Sequence, residues 1–371
     1  MRKNLVKPTA LRPTVSEIVR RTALFTLAAA ATSVMLLPDT AKAEWPERPI
    51  TVVVMYGAGG GTDTVIRTIT AEMAKATGWT INVINKPGAV GGVATKYVLN
   101  KPDDGYTWLG AANYNKFVRV MGHSDSKAWE DWQYFKAANS LGSWSVRTDS
   151  PFKNMNDILA AAKKTPGKVS ISTSGSGGLW QELAATVAVA AGITLKYVPY
   201  KGGKKATLAG LQGETDIAGG GVHEHIDLIR AGKLRHIQQT GTEDIIDAKA
   251  GTLKSVGSLI PAVKASLPMG GIYNLAIRRN APKEVLQKVL KAFTAAVNSD
   301  TFKAVAKKKY FTLDIRSGVE ADKNAAQMEV LTANTFAKLG IKGSVPASKL
   351  GLPSPGGFDS WWPPKGYKPR M

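Results

Sequence analysis

The chain has no cysteine in its 371 residues. That excludes disulfide bridges, thiolate metal sites and a cysteine nucleophile, and also the acylated cysteine that tethers a lipoprotein. Histidine is nearly as scarce, with 4 in the chain, so a histidine-rich metal centre has little to draw on. Acids are outnumbered: 28 Asp and Glu against 49 Lys and Arg give a net charge of +21. Long apolar runs are missing too. The uncharged stretch Ala23–Leu37 is 15 residues, short of the ~20 that a membrane-spanning helix needs.

That short run sits in a telling place. Arg2, Lys3, Lys7, Arg12, Arg20 and Arg21 precede it against one acid, Glu17, and Ala41-Lys42-Ala43 follows as a small-x-small site before Glu44. A basic end, an apolar middle and a small-residue site are the parts of a secretory signal over residues 1–43, cleaved near Ala43-Glu44. Arg20-Arg21 lacks the flanking Ser and Phe-Leu of a twin-arginine signal, so an ordinary signal is expected. A soluble exported protein with no lipid anchor is useful where a second membrane retains it, which points to the periplasm. Losing the leader's seven basic and two acidic residues leaves 328 residues and a charge of +16, enough chain for two lobes without disulfides. The lysines are scattered, and the densest run, Lys307-Lys308-Lys309, has no aromatic stacking platform beside it. A solvated face is expected there, not a nucleic-acid site. Long-range steering of small anions is compatible with the charge.

What the sequence does contain is one recurring unit. ITVVVMYGAGGGTD (50–63), INVINKPGAVGG (81–92) and KVSISTSGSGGLW (168–180) each read as strand, glycine-rich loop and helix start. Backbone N–H groups at a helix start have no intrahelical partner, and the helix dipole makes that end positive. Three such ends in an exported chain suggest a protein that holds a small anion. Around them, strand-like runs alternate with amphipathic segments, as in α/β lobes with mostly parallel sheets. Val65, Ile66, Ile69, Met73 and Ala76 carry helical spacing over 62–77, closed by Gly78. A second lobe is expected to begin near Val146-Arg147. Asp216-Ile217-Ala218 leads into a fourth glycine cluster, Gly219-Gly220-Gly221, and Tyr273–Ile277 reads as a strand returning to the first lobe. The Pro- and Gly-rich tail from Ser344, with Trp361-Trp362-Pro363-Pro364, is expected to lie as an extended strap on the first lobe.

Sharper chemistry finds less support. Gly57-x-Gly59-x-x-Thr62 misses the last glycine of a dinucleotide fingerprint, and no ribose-binding acid ends the second strand. Position 174 is Ser where a nucleophile elbow around Ser176 needs Gly. His223-x-His225 shows no third ligand for a metal, so surface histidines are expected. Asp63 follows Thr62 at a helix start and reads as a cap and dipole partner before it reads as a general base. No cofactor and no metal are expected.

The ordered set of segments resembles a known family, the extracytoplasmic solute receptors of tripartite tricarboxylate transporters, called Bug receptors. It is carried by Trp45-Pro46-Glu47-Arg48-Pro49-Ile50, AGGGTD (58–63), NKPGAVGG (85–92), PDDGYT (102–107), RTDSPFKNMNDIL (147–159), TPGKVSISTSGSGG (165–178), VPYKGG (198–203), RAGKLR (230–235) and APKEVLQKVLKAF (281–293). The resemblance implies an α/β, two-lobed type II periplasmic-binding-protein-like fold, with a cleft between lobes and a hinge of two crossing strands. It divides the chain into lobe 1, residues 44–146 plus 270–371, and lobe 2, residues 147–269. It implies a monomeric, non-enzymatic receptor that passes a small carboxylate to integral-membrane transporter subunits. Service to a signalling protein, or a periplasmic enzyme on the same scaffold, are the alternatives. The implied ligand contacts are Tyr56, Ala58, Gly59, Gly60, Gly61, Thr62, Asp63, Gly88, Ala89, Gly91, Gly92, Ala112 and Asn113 from lobe 1. From lobe 2 they are Ser174, Gly175, Ser176, Gly177, Gly178, Gly219 and Gly220. Tyr56-Gly57 stands where Phe-Pro is usual, and Gln181 replaces a common histidine. Trp180, Tyr56 and Tyr114 suit a flat or aromatic acid.

Overall fold

The computed structural model describes residues 44–371, and the signal expected over 1–43 lies outside them. Arg48–Met371 form one compact unit. It opens with β1 (Ile50–Val54), α1 (Gly61–Thr77), β2 (Ile81–Asn85), α2 (Gly92–Leu99) and β3 (Thr107–Ala112). β1 pairs in parallel with both β2 and β3, as strands joined by crossover helices must. Val65, Ile66, Ile69 and Met73 bury one face of α1, and Gly78 ends it in the left-handed conformation with its N–H on Ala74 O. A short helix, α3 (Lys116–Val120), then leads to β4 (Trp132–Asn139).

At Ser140-Leu141 the chain leaves this sheet. β5 (Gly142–Arg147), α4 (Met155–Lys164), β6 (Ser170–Thr173), α5 (Leu179–Ala190), β7 (Lys196–Pro199), α6 (Gly203–Gln212), β8 (Ala218–Gly221), α7 (Val222–Arg230) and β9 (Leu234–Gln239) follow. β5 lies antiparallel between β8 and β9, and the parallel pair β6–β7 joins them through a bridge between Ile171 and Ile217. Val146, Ile158, Ile171, Val187 and Ile217 anchor the core of this lobe. A hairpin of β10 (Ile245–Asp247) and β11 (Gly251–Leu253) precedes the return.

β12 (Ile272–Arg278) then inserts between β3 and β4, antiparallel to each. The two linkers cross where Ser140 N donates to Gly271 O at 2.8 Å. A Cβ on Gly270 would lie 1.5 Å from Ser140 O, so only glycine fits the crossing. α8 (Lys283–Val297), α9 (Asp300–Lys309), β13 (Thr312–Arg316) and α10 (Gly318–Leu339) complete the first lobe, giving a six-stranded sheet in the order β13-β4-β12-β3-β1-β2. Phe293 of α8 packs on Phe135, and Phe336 of α10 stacks on Phe117. The tail lies against the same lobe. Trp361 meets Trp129 edge to face, the Tyr367 hydroxyl donates to Asp322, and Arg279 donates to Lys368 O. No helix among the described residues is long and apolar enough to cross a membrane.

Candidate functional site

The loop after β1 is shaped by one carboxylate. Asp63 Oδ2 accepts from Gly59 N at 2.9 Å, and Oδ1 accepts from Arg67 Nε at 2.9 Å and Asn85 Nδ2 at 2.8 Å. With both oxygens engaged and the side chain buried, Asp63 braces the loop. The first rung of α1 runs from Thr64 N to Gly60 O, so the N–H groups of Gly60, Gly61 and Thr62 fall outside the helical ladder.

Two further segments of this lobe are strained. Ala89 and Val90 sit at φ +48° and +46°, and Asn113, Tyr114 and Asn115 at +55°, +49° and +61°. For a β-branched residue such as Val90 this conformation is a genuine outlier. The second run is held by specific bonds: Ile272 N donates to Asn113 Oδ1, Tyr114 N to Asn274 Oδ1, and Asn115 Nδ2 to Thr95 Oγ1. Strain fixed by such partners is the pattern of functional loops.

From the second lobe, Ser174–Gly178 leads into α5. Gly178 N donates to Gly175 O, and Gly177 N donates to the side chain of Gln181 at 2.8 Å, so these two donors are internally satisfied. Three glycines of these loops are among the contacts between the lobes. A Cβ on Gly57 would reach within 3.0 Å of Lys201 O, one on Gly175 within 2.9 Å of Val90 Cγ1, and one on Gly177 within 2.3 Å of Met121 Sδ. Between these contacts lies a narrow cavity of about 30 Å³.

The cavity brings together Tyr56, Gly60, Gly61, Thr62, Ala112, Asn113 and Ser174 from the sequence-derived set. The others stand outside its wall. Ala58, Gly59, Ala89 and Ser176 are exposed. Gly88, Gly91 and Gly92 shape the turn that carries Val90, and Gly175, Gly177 and Gly178 pack against Val90 and Met121. Gly219 lies under Ser172 O, and Gly220 makes room for His225 and Glu224.

Trp180, expected near the cleft for its flat ring, also lines the cavity, and so do Leu179, Gly203, Glu224, Gly271 and Tyr273, which were not anticipated from sequence. The surface position expected for the histidines is corrected: His223 is 5% and His225 0% exposed. Both ride the first turn of α7, whose start is turned inward. The Tyr273 hydroxyl lies 3.2 Å from His223 Nε2 and 3.0 Å from Ser140 Oγ. Glu224 Oε2 accepts from Gly221 N at 2.9 Å, and Oε1 lies 3.7 Å from His223 Nε2. Burial works to raise the Glu224 pKa, but the imidazole of His223 and the Gly221 N–H outweigh it and hold the carboxyl below its ordinary value. Burial pushes the Tyr273 and Tyr56 hydroxyls up, so both stay protonated donors. Among the described residues, no group of three His, Cys, Asp or Glu is placed to hold a metal ion.

Comparison with known proteins places this geometry. Residues 65–340 match the model of the tripartite tricarboxylate transporter family receptor. A Cupriavidus necator protein, the UPF0065 protein in gbd 5'region, is 28% identical over 282 residues, covering 74% of this chain and 83% of its own. The structure of the periplasmic binding protein BugD superposes with a TM-score of 0.70 at 22% identity, over 80% of this chain and 99% of BugD. An R. palustris protein solved with adipate gives 0.72 at 20% identity, over 82% of this chain and 100% of the other. At such identities the superpositions establish the fold: two lobes of the periplasmic-binding-protein type, with a cleft between them. The family model, spanning well over half of the chain, establishes the rest: this chain belongs to the tripartite tricarboxylate transporter receptor family, as a Bug-type solute receptor.

Proposed function

We propose that the protein is a periplasmic receptor that closes its lobes over one small carboxylate and delivers it, as a monomer, to the membrane subunits of a tripartite tricarboxylate-type transporter. The observation that carries this reading is the meeting of three helix starts at one cavity: α1 at Gly60–Thr62 from one lobe, and α5 at Leu179-Trp180 and α6 at Gly203 from the other. The starts of α1 and α5 offer N–H groups and a partial positive charge to an anion, at up to ~2 kcal/mol apiece, while the α6 start faces Glu224. With charge-assisted hydrogen bonds added, this approaches the ~8 kcal/mol of a micromolar complex. The adipate of the R. palustris neighbour supports the carboxylate class.

We place the hinge at Ser140-Leu141 and Gly270-Gly271, because β5 pairs into the second sheet from Gly142 onward. The lobes then meet a few residues before the Val146-Arg147 boundary expected from sequence. Thermal unfolding of the mature protein against mono-, di- and aromatic carboxylates tests the reading. A ligand that raises the melting temperature with its concentration, as RT ln(1 + [L]/Kd) requires, supports it. A screen in which no carboxylate does so overturns it.

A further inference from the structure

One of the three helix starts is already taken by the protein itself. A Cβ on Gly203, the first residue of α6, would lie 2.1 Å and 2.2 Å from the two oxygens of Glu224. The carboxylate is therefore pressed onto the backbone at that helix end. Across the cleft, a Cβ on Gly60 would come within 3.4 Å of Glu224 Oε1. Glu224 thus stands between the lobes, 9% exposed, in the wall of the cavity. Among the described residues its one ion-pair neighbour is His223, at 3.7 Å, and no Lys or Arg joins it.

From this arrangement, and resting on the carboxylate-receptor reading above, we infer that the site selects an aminocarboxylate, a ligand with one carboxylate and one ammonium, and discriminates against dicarboxylates. The ligand's carboxylate has the starts of α1 and α5 available to it. A second carboxylate on the ligand would be brought against Glu224 in a water-poor cleft, where like charges in juxtaposition are strongly disfavoured. An ammonium in the same place would pair with the Glu224 carboxylate. The aromatic wall favours the same choice. Trp180 and Tyr273 line the cavity, and His223 lies 4.8 Å from Phe311 and 5.8 Å from Tyr273, ring to ring. Indole and phenol faces attract cations and do nothing for a second anion.

The test is calorimetric titration of the mature protein with three matched series: glycine to 6-aminohexanoate, malonate to pimelate, and acetate to hexanoate. Each aminocarboxylate has a dicarboxylate with the same number of methylenes. The expected result is that at least one aminocarboxylate binds, ~100-fold or more tighter than its dicarboxylate partner and clearly tighter than the matching monocarboxylate. In Glu224→Gln, with far-UV circular dichroism unchanged, that ratio should collapse towards one. The wild-type comparison stands without the variant, should Glu224→Gln fail to fold. A dicarboxylate that binds wild-type protein as well as, or better than, its amino partner overturns the inference while leaving the carboxylate receptor intact. So does a monocarboxylate equal to the aminocarboxylate. Binding by none of the three series overturns the inference and leaves the receptor reading to the aromatic carboxylates of the thermal screen.

Discussion

Removing the charge of Lys116 should destabilise the protein, and removing its partner's charge as well should restore it. Lys116 Nζ, on α3 of the first lobe, lies 3.2 Å from Glu182 Oε2 on α5 of the second, with the side chains 8% and 9% exposed. Thr332 Oγ1 of α10 donates to the other carboxylate oxygen at 2.7 Å. In Lys116→Met the apolar stem is kept and the ammonium is lost, leaving Glu182 with one hydroxyl and no counter-ion. Breaking a buried pair from one side costs ~3–5 kcal/mol, because a desolvated charge is left behind. This pair borders a cavity of about 1100 Å³, through which water can reach it. The lower end, ~3 kcal/mol, is therefore expected. At roughly 2 °C per kcal/mol for a chain of this size, the melting temperature should fall by ~6 °C.

The double variant Lys116→Met, Glu182→Met removes both charges and should lie within ~1 kcal/mol of wild type, since well-packed apolar replacements of a buried pair are often neutral or better. Calorimetric melting of wild type, both single variants and the double variant closes the cycle. A Lys116→Met melting temperature within 1 °C of wild type would refute the reasoning, since it would mean that the pair is hydrated and the lobes stand apart in solution. A double variant as unstable as the single would refute it too, by showing that packing, not charge, was lost.

Three further outcomes are expected. Gly177 has φ +68°, and a Cβ there would sit 2.3 Å from Met121 Sδ, so Gly177→Ala should leave far-UV circular dichroism unchanged but weaken ligand binding ~5-fold or more by hindering closure; undiminished affinity would contradict this. Burial holds the His225 imidazole down at about 3, against about 6.5 in the unfolded chain, so between those values only the unfolded chain takes up the proton and stability falls as pH is lowered. From pH 6.5 to 4 that loss is ~3 kcal/mol, and His225→Gln should lack this part of the loss in urea titrations run at a series of pH values. Lys86 Nζ lies over the Tyr97 ring at 4.5 Å, outside the cavity wall, so Lys86→Ala should cost less than ~1 kcal/mol of affinity and act mainly on salt-dependent association; a larger loss seen in dissociation would place a cation in the site.

The parts of this fold that were legible are those whose cause is local. Val65, Ile66, Ile69 and Met73 lie at helical spacing, and Gly78 stops the helix where it falls. Asp63 reads as a cap because a carboxylate beside a helix start has few better uses, although its bond to Asn85 crosses from one strand end to another. The site residues that escaped are set by contacts distant in sequence. His223 and Glu224 look like a polar helix start, and they are buried because Tyr273, 50 residues on, and Gly60, in the other lobe, face them. Nothing local marks Val90 either. Its left-handed backbone runs against the preference of a β-branched residue and exists only where the surrounding turn and Gly175 over-determine it. Asparagine at 113 and 115 was a fair local hint, since its short polar side chain tolerates that conformation.

How the cleft is closed bears on how it must work. The cavity is narrow, at about 30 Å³, so we expect the lobes to separate as a ligand enters. The contacts that seal the mouth are glycine against backbone at Gly57 and Lys201, glycine against Val90, and glycine against the flexible side chain of Met121. None is an ion pair, and each gives up little when broken. Lys116 and Glu182 bridge the lobes elsewhere, along the larger cavity that also reaches the crossing at Ser140 and Gly270. Lys309 with Asp227 and Tyr273 with His223 bridge the lobes as well, so several charged and polar contacts would have to break for the lobes to separate. A ligand seated on the helix starts adds its own bonds at the mouth. The differential stabilisation needed to shift the population to the closed form then comes from the ligand itself.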